Sequence, residues 1–128
     1  MADKSIAEKM FIKKGEHILL VNPPKGYEKI LKDLPEGALL ASEGQPDNDS
    51  ILCFLNSKIK MEQHLPLLKT LLKPAGKLWI AYPKGTSKIH IDIHRDIIAR
   101  YALGIGLQAV AMIAIDETWS ALRLKIIS

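Results

Sequence analysis

The stretch 17–26, HILLVNPPKG, is an apolar run that leads directly into the tripeptide Pro-Lys-Gly. The stretch 78–85, LWIAYPKG, repeats this arrangement later in the chain. The first run is apolar on both faces, which is typical of a parallel strand inside a sheet. If both runs are parallel strands of one sheet, Lys25 and Lys84 reach its carboxyl edge, where open α/β folds bind ligands. These stretches predict a fold and indicate where a site would lie, without identifying its ligand.

The composition is that of a globular protein with one domain. The chain has 128 residues, of which 48% are hydrophobic and 25% are charged, and a chain of this length can bury a core without a metal or a disulfide. Its net charge is +4, and Lys predominates over Arg among its 18 basic residues. Because sequence-specific DNA-binding proteins depend on Arg side chains, we do not expect nucleic acid as a partner.

The single cysteine, Cys53, lies in the apolar run 51–55. No cationic residue lies in that run, so we predict a buried structural thiol rather than a reactive one. Residues 1–4 do not resemble the start of a signal peptide. The longest apolar stretch, 107–115, is shorter than the roughly 18 residues that a membrane-spanning helix needs. We therefore expect a cytoplasmic protein with no membrane span.

Strands and helices alternate along the chain. Apolar runs predict strands at 17–22, 38–42, 50–56, 77–82, 107–115 and 119–127. Helical spacing and capping residues predict helices from Ile6 to about Lys13, at 27–34, at 58–64, at 66–73 and after Asp92. Ser5 and Glu8 form a capping box for the first helix. Pro66 is expected to divide the helical segment around it, and Asp92 is expected to cap the last helix.

The last two strands are joined by only three residues, 116–118, which are too few for a crossover, so we predict an antiparallel hairpin. Arg123 and Lys125 share one face of the last strand, which favours a position near the margin of the sheet. Together these elements predict a three-layer, Rossmann-like α/β fold with a mostly parallel sheet of about six strands. We expect one domain, 1–128, which begins with the N-terminal helix (1–15) and ends with the hairpin (107–127).

One segment carries a resemblance to a known family. Residues 71–80, LLKPAGKLWI, resemble the L-K-P-G-G-x-L stretch that class I methyltransferases carry before a strand, and the terminal hairpin also matches that fold. The chain as a whole resembles a family of small bacterial and archaeal proteins through residues 15–22, 78–84 and 116–120. The first resemblance implies a shortened methyltransferase-like fold, and the second implies no particular activity.

The turn after the first strand departs from the methyltransferase pattern. Those enzymes place a glycine-rich turn there, whose backbone lies against S-adenosylmethionine. Here the turn is 22–26, NPPKG, in which two prolines remove amide donors and only Gly26 has a permissive backbone. We therefore predict no conventional cradle for this cofactor and assign no cofactor. The sequence favours a non-catalytic module, and if the protein is an enzyme, the resemblance implies methyl transfer.

The candidate binding site is the carboxyl edge of the predicted sheet. Lys25, Lys58 and Lys84 each follow a predicted strand, and helix N-termini at the same edge add positive potential. Glu43 follows the turn that contains Gly26. In dinucleotide-binding folds, an acid about 20 residues after the glycine turn can bind ribose hydroxyls. The predicted ligand-binding residues are Asn22, Lys25, Gly26, Glu43, Lys58, Lys84 and Ser87. The alternative is that these lysines are solvated and bind nothing.

The segment 89–94, IHIDIH, has two interpretations. In a strand, His90, Asp92 and His94 would share one face and could bind zinc or iron. If Asp92 caps a helix, the two histidines point apart. We favour the cap, and we predict neither a metal site nor catalytic residues.

Three functions remain open from sequence. The first is a module that binds a small anionic or nucleotide-like ligand at the carboxyl edge. The second is a methyltransferase-like protein with a degenerate cofactor loop. The third is a non-catalytic interaction protein that forms an oligomer through its exposed strand margin or through Ile6, Met10 and Phe11 of the N-terminal helix.

Overall fold

Six strands form one sheet in the part of the chain that the computed structural model describes, residues 5–84 and 92–127. They are β1 (His17–Val21), β2 (Leu39–Leu40), β3 (Asn48–Phe54), β4 (Leu72–Pro83), β5 (Leu107–Ala114) and β6 (Trp119–Ile126). Their order across the sheet is β2-β1-β3-β4-β6-β5. Strands β1 to β4 are parallel, and β6 is antiparallel to both of its neighbours. The predicted mostly parallel sheet with a terminal hairpin is confirmed.

In the same described residues, three helices flank the sheet: α1 (Ile6–Lys9), α2 (Lys58–Leu71) and α3 (Arg95–Gly104). Helices α2 and α3 cover one face, where Leu65 and Ile98 belong to the same buried cluster as Ile80. Helix α1 and the turns of 27–34 cover the other face, in a second cluster that contains Trp79. The two clusters give the three layers of an α/β domain.

Strand β3 lies at the centre of the sheet and is almost completely buried. Its thiol, Cys53, is inaccessible to solvent, and burial raises the pKa of this thiol to about 12. A thiol with such a pKa remains protonated at neutral pH and is inert. The side chain of Cys53 is therefore a small core group, in agreement with the sequence prediction.

Two predicted helices are shorter in the structure or absent from it. Helix α1 ends at Lys9 rather than near Lys13, because Phe11 adopts a left-handed backbone with φ of 58°. The segment 27–34 forms turns with hydrogen bonds between residues three apart rather than an α-helix. Its apolar stripe still packs inward, as the burial of Leu31 shows. A segment this short gains little from helix formation alone, so tertiary contacts decide its backbone.

Pro66 does not divide the helix in which it lies. Helix α2 runs without interruption from Lys58 to Leu71, so the prediction of two pieces is wrong. A proline removes the amide that would bind the carbonyl four residues earlier, which here belongs to Glu62. The hydroxyl of Tyr101, on α3, donates to that carbonyl at 3.4 Å. A neighbouring helix thus supplies the donor that the proline removed.

Asp92 does not cap the helix that follows it, so that prediction is also wrong. Its Oδ1 accepts a hydrogen bond from the backbone amide of Lys58 at 2.8 Å, at the start of α2. The N-cap of α3 is His94, whose side chain makes no capping hydrogen bond. The alternative metal site depended on His90, which lies outside the described residues.

The two edges of the sheet are β2 and β5. Strand β6 lies next to the edge strand β5, so its predicted position near the margin is confirmed. Arg123, on the face of β6 with the charged residues, is half-buried. Of the predicted contact residues in the N-terminal helix, Met10 is fully buried, whereas Phe11 is largely exposed. Met10 therefore belongs to the core and cannot form an oligomer contact.

Candidate functional site

The carboxyl ends of β1, β3 and β4 lie side by side, with β3 in the middle. A cleft of about 220 Å³ opens at this edge. We call it the Asn22 cleft; its lining includes Asn22, Pro24, Phe54, Asn56, Lys60 and Trp119. The cleft therefore lies at the edge that the sequence indicated, and Asn22 is the only predicted ligand-binding residue among the described residues that line it.

Asn22 occupies a special backbone position at the end of β1. Its φ is 53°, in the left-handed region, which asparagine tolerates better than most residues. Its side-chain nitrogen lies 3.2 Å from Nε2 of His64, on α2. This contact holds the Asn22 side chain at the rim of the cleft. Because its amide nitrogen already contacts His64, Asn22 can bind a ligand only in the remaining directions.

Three aromatic rings pack against one another beside the cleft. The ring centroids of Phe54 and Trp119 are 5.1 Å apart in an edge-to-face arrangement, and that of Tyr27 lies 5.6 Å from Phe54. Phe54 and Trp119 line the cleft, so its floor is aromatic. Because the two ring planes are 79° apart, a planar ligand ring can stack on one of them and contact the edge of the other. Trp119 is thus both a core residue and a cleft residue.

Tyr27 is held by Asp116, in the turn between β5 and β6. The Tyr27 hydroxyl donates to Asp116 Oδ2, and this hydrogen bond is the main cause that raises the pKa of Tyr27 to about 12. The other carboxylate oxygen accepts from the backbone amides of Thr118 and Trp119, each at 2.8 Å. Burial opposes ionisation of Asp116, yet these hydrogen bonds outweigh it and lower the pKa of this carboxyl group.

The loop after β1 does not form a cradle for S-adenosylmethionine. Pro23 and Pro24 have no amide to donate. The amide of Gly26, whose φ is 93°, donates to both carboxylate oxygens of Glu28, at 3.1 and 2.9 Å. The cleft is also smaller than the roughly 300 to 1,000 Å³ of ordinary ligand sites. The residues present therefore do not fit the whole cofactor, and we derive no methyl-transfer step from them.

The structure separates several predicted ligand-binding residues. Lys25 is exposed in the turn after β1, and Glu43 is exposed beyond β2 and does not line the Asn22 cleft. Lys58 lines a different groove, between α2 and α3. Lys84 lines another cleft, beside β6. Ser87 lies outside the described residues, so its role stays a prediction.

Two polar residues that line the Asn22 cleft were absent from the predicted ligand-binding set. Lys60 and Asn56 line the Asn22 cleft, where Lys60 supplies its positive charge and Asn56 a second amide. Asn56 directly follows the apolar run of β3, at the carboxyl end of a strand, and this position is the signal that could have identified it.

The cleft that contains Lys84 has a volume of about 250 Å³. We call it the Lys84 cleft; its lining includes Tyr82, Lys84, His94, Arg95, Asp96 and Ser120. Tyr82 and Ser120 are directly opposite each other in the pairing of β4 with β6. This cleft combines basic side chains, two hydroxyl groups and the start of α3.

Comparison with known proteins places the fold. No protein-family model matches the chain, and no curated protein matches it by sequence. Among solved structures, the chain is similar to a SAM-dependent methyltransferase from Aquifex aeolicus, with a TM-score of 0.63 and 14% identity over 96% of this chain and 88% of that one. The fold is a shortened, methyltransferase-like Rossmann fold. At this level of identity, the similarity concerns the fold alone.

Two further structures are similar over nearly the whole chain. A TehB-like SAM-dependent methyltransferase from Corynebacterium glutamicum has a TM-score of 0.58 at 12% identity, covering 95% of this chain and 86% of that one. A SAM-dependent methyltransferase from Thiobacillus denitrificans, in complex with S-adenosyl-L-homocysteine, has a TM-score of 0.58 at 9% identity, covering 94% of this chain and 89% of that one.

Within the described residues, no helix is long and apolar enough to cross a membrane.

Proposed function

We propose that this protein is a methyltransferase-like module with a degenerate cofactor loop, and that its Asn22 cleft binds a small ligand in which a flat ring is combined with a negatively charged group. S-adenosylhomocysteine has this chemistry through its adenine and carboxylate. Simple nucleotides have it through their base and phosphate. The proposal concerns binding, and no residue is assigned a catalytic role.

The lining of the Asn22 cleft carries this proposal. Phe54 and Trp119 form an aromatic floor, while Lys60 adds one ammonium group at the cleft. Asn22 and Asn56 add amides, which can donate and accept hydrogen bonds. A ligand that stacks on the floor and presents an anion to Lys60 would use all three kinds of group.

The size of the cleft limits the expected affinity. A volume of about 220 Å³ encloses only part of a nucleotide or of S-adenosylhomocysteine, so much of either ligand would remain in solvent. We therefore expect weak binding, with a Kd of about 0.1 to 1 mM.

Calorimetry with three ligands tests the proposal. Adenosine monophosphate and S-adenosylhomocysteine each carry a ring and an anion, whereas adenosine carries the ring alone. We expect at least one of the two anionic ligands to bind roughly tenfold more tightly than adenosine, because a charged hydrogen bond to Lys60 contributes about 1.5 to 3 kcal/mol. Binding of S-adenosylhomocysteine alone would favour a cofactor-like ligand, and binding of the monophosphate alone would favour a nucleotide.

A matched pair of variants places the binding site. Lys60→Gln removes the ammonium group from the cleft, whereas Lys58→Gln removes the same charge from the same helical turn, on the α2–α3 groove. We expect Lys60→Gln to eliminate the advantage of the anionic ligands and Lys58→Gln to leave it unchanged. Equal losses in both variants, or equal binding of adenosine and the anionic ligands to the original protein, would contradict the proposal.

A further inference from the structure

The Lys84 cleft lies beside β6 and differs in chemistry from the Asn22 cleft. The residues that line it include Lys84, at the end of β4, and Arg95, at the start of α3. It also contains one acid, Asp96, whose Oδ1 is 3.7 Å from Nε of Arg95 and whose side chain is 72% exposed. Asp96 therefore neutralises part of the charge of Arg95, and Asp116, in the neighbouring turn, attracts Lys84.

The start of α3 adds backbone donors to this cleft. The helix has ten residues, and its N-cap residue, His94, makes no side-chain hydrogen bond to it. Within the described residues, nothing accepts a hydrogen bond from the first-turn amides of 95–97. The first amides of a helix bind anions because they are unpaired and lie at the positive end of the helix dipole.

Two hydroxyl groups line the same cleft although their residues are almost completely buried. Tyr82 is 5% exposed and Ser120 is 7% exposed. The Tyr82 hydroxyl donates to Sδ of Met112 at 3.1 Å, and a thioether is only a weak acceptor. Burial raises the pKa of Tyr82, while a hydrogen bond from the Ser120 hydroxyl to the Tyr82 oxygen opposes this rise. Ser120 therefore already has an acceptor, whereas the Tyr82 proton would gain a stronger acceptor from an oxyanion.

We propose that the Lys84 cleft is a second binding site, separate from the Asn22 cleft, and that it binds a phosphate-class oxyanion. Lys84 and Arg95 supply charge, the first turn of α3 supplies backbone amides, and Tyr82 supplies a hydroxyl donor. Phosphate oxygens can accept from all of these groups at once, which is how phosphate sites at helix N-termini are built.

Titration with inorganic phosphate at constant ionic strength tests this site. The readout is the nuclear magnetic resonance signal of each backbone amide. We expect the amides of 95–97 and of Lys84 to shift together and to saturate with a Kd of about 1 mM or tighter. Amides beside Asn22 and Asn56 report on the other cleft, so this proposal and the proposed function can fail independently.

Three variants separate a built site from general attraction to a basic protein. Lys84→Gln should weaken phosphate binding about tenfold, since it removes one charged hydrogen bond. Tyr82→Phe changes no charge and removes the hydroxyl donor, so it should weaken binding about threefold. Arg100→Gln is the control, because it removes one positive charge from the same helix but lines the α2–α3 groove. Absence of saturation, or an equal loss in Arg100→Gln and Lys84→Gln, would overturn the proposal.

Discussion

Tyr27 and Asp116 join two loops at the aromatic end of the Asn22 cleft. The contact connects the turn after β1 with the turn between β5 and β6, which are 89 residues apart in sequence. Asp116 also accepts from two amides of its own turn, so its carboxylate is held in place by contacts other than the one with Tyr27. We therefore regard this pair as the contact that positions the aromatic floor.

The Tyr27 hydroxyl should ionise at unusually high pH. Its pKa is raised from the ordinary 10 to about 12, so the contact stabilises the fold fully below pH 10 and loses this effect as the pH approaches 12. The difference in tyrosinate absorbance between the original protein and Tyr27→Phe should give a pKa near 12. In Asp116→Asn this pKa should return toward 10, and a Tyr27 that already ionises normally in the original protein would refute the assignment.

The lysines at the start of α2 show why the cleft residues were only partly predictable. Lys58 and Lys60 are two positions apart in the chain, and on a helix this spacing turns one side chain about 200° from the other. Sequence places both near the carboxyl edge, but the side that each one faces depends on how α2 packs against the sheet. The prediction therefore named Lys58, whereas Lys60 lines the Asn22 cleft.

At the scale of elements, Pro66 and Tyr101 act as a pair across two helices. Tyr101→Phe should lower the free energy of unfolding by about 0.5 to 1 kcal/mol, because the Glu62 carbonyl loses its donor. In the Pro66→Ala background an amide returns to the helix and can bind that carbonyl, so the same Tyr101→Phe change should cost clearly less. Denaturant unfolding of the four proteins measures this coupling, and additive effects would contradict it.

The prediction that Pro66 would divide its helix failed because sequence rules did not include this contact with a neighbouring helix. Rules that place helix ends at prolines assume that nothing replaces the lost hydrogen bond. Here the replacement comes from α3, which is separated from Pro66 by an entire strand. The same limitation applies to Asp92. This residue follows β4 in the chain, yet its carboxylate accepts a hydrogen bond from the first amide of α2, which precedes β4.

At the scale of the whole molecule, two carboxylates connect distant segments. Asp49, on β3, accepts from the backbone amide of His17 at 2.8 Å and from Nζ of Lys73 at 2.9 Å, so it joins the start of β1 to β4. Burial opposes its ionisation, but these two contacts outweigh it and lower the pKa of Asp49. Asp116 is held below its usual pKa range in the same manner.

The protein should therefore lose stability in acid. For a carboxyl group whose folded pKa is lowered, the stabilisation is present above the unfolded pKa of about 3.9 and is lost as the pH falls through the folded value. Melting temperatures should drop as the pH is lowered below about 4. Asp49→Asn and Asp116→Asn should each make this drop shallower while lowering stability at neutral pH. An unchanged acid profile in both variants would show that other groups control it.

The sheet was predictable because its signals are local, whereas the clefts were not. Continuous apolar runs, a three-residue hairpin turn and short crossovers determine which strands pair, and they led to the mostly parallel sheet. The charged face of β6 likewise indicated its position near the margin of the sheet, next to the edge strand β5. Clefts depend on contacts between residues that are far apart in the chain. Among the predicted residues that the structure describes, only Asn22 and Lys84 therefore line one of the two clefts.

The burial of Cys53 has a practical consequence for studying this molecule. It is the only sulfhydryl group in the chain, and it lies in the central strand, where solvent does not reach it. A thiol-modifying reagent can react with it only when the sheet itself opens, since fraying of an edge strand leaves it covered. The rate at which Cys53 is labelled therefore reports on global opening of the protein, and no engineered probe is needed.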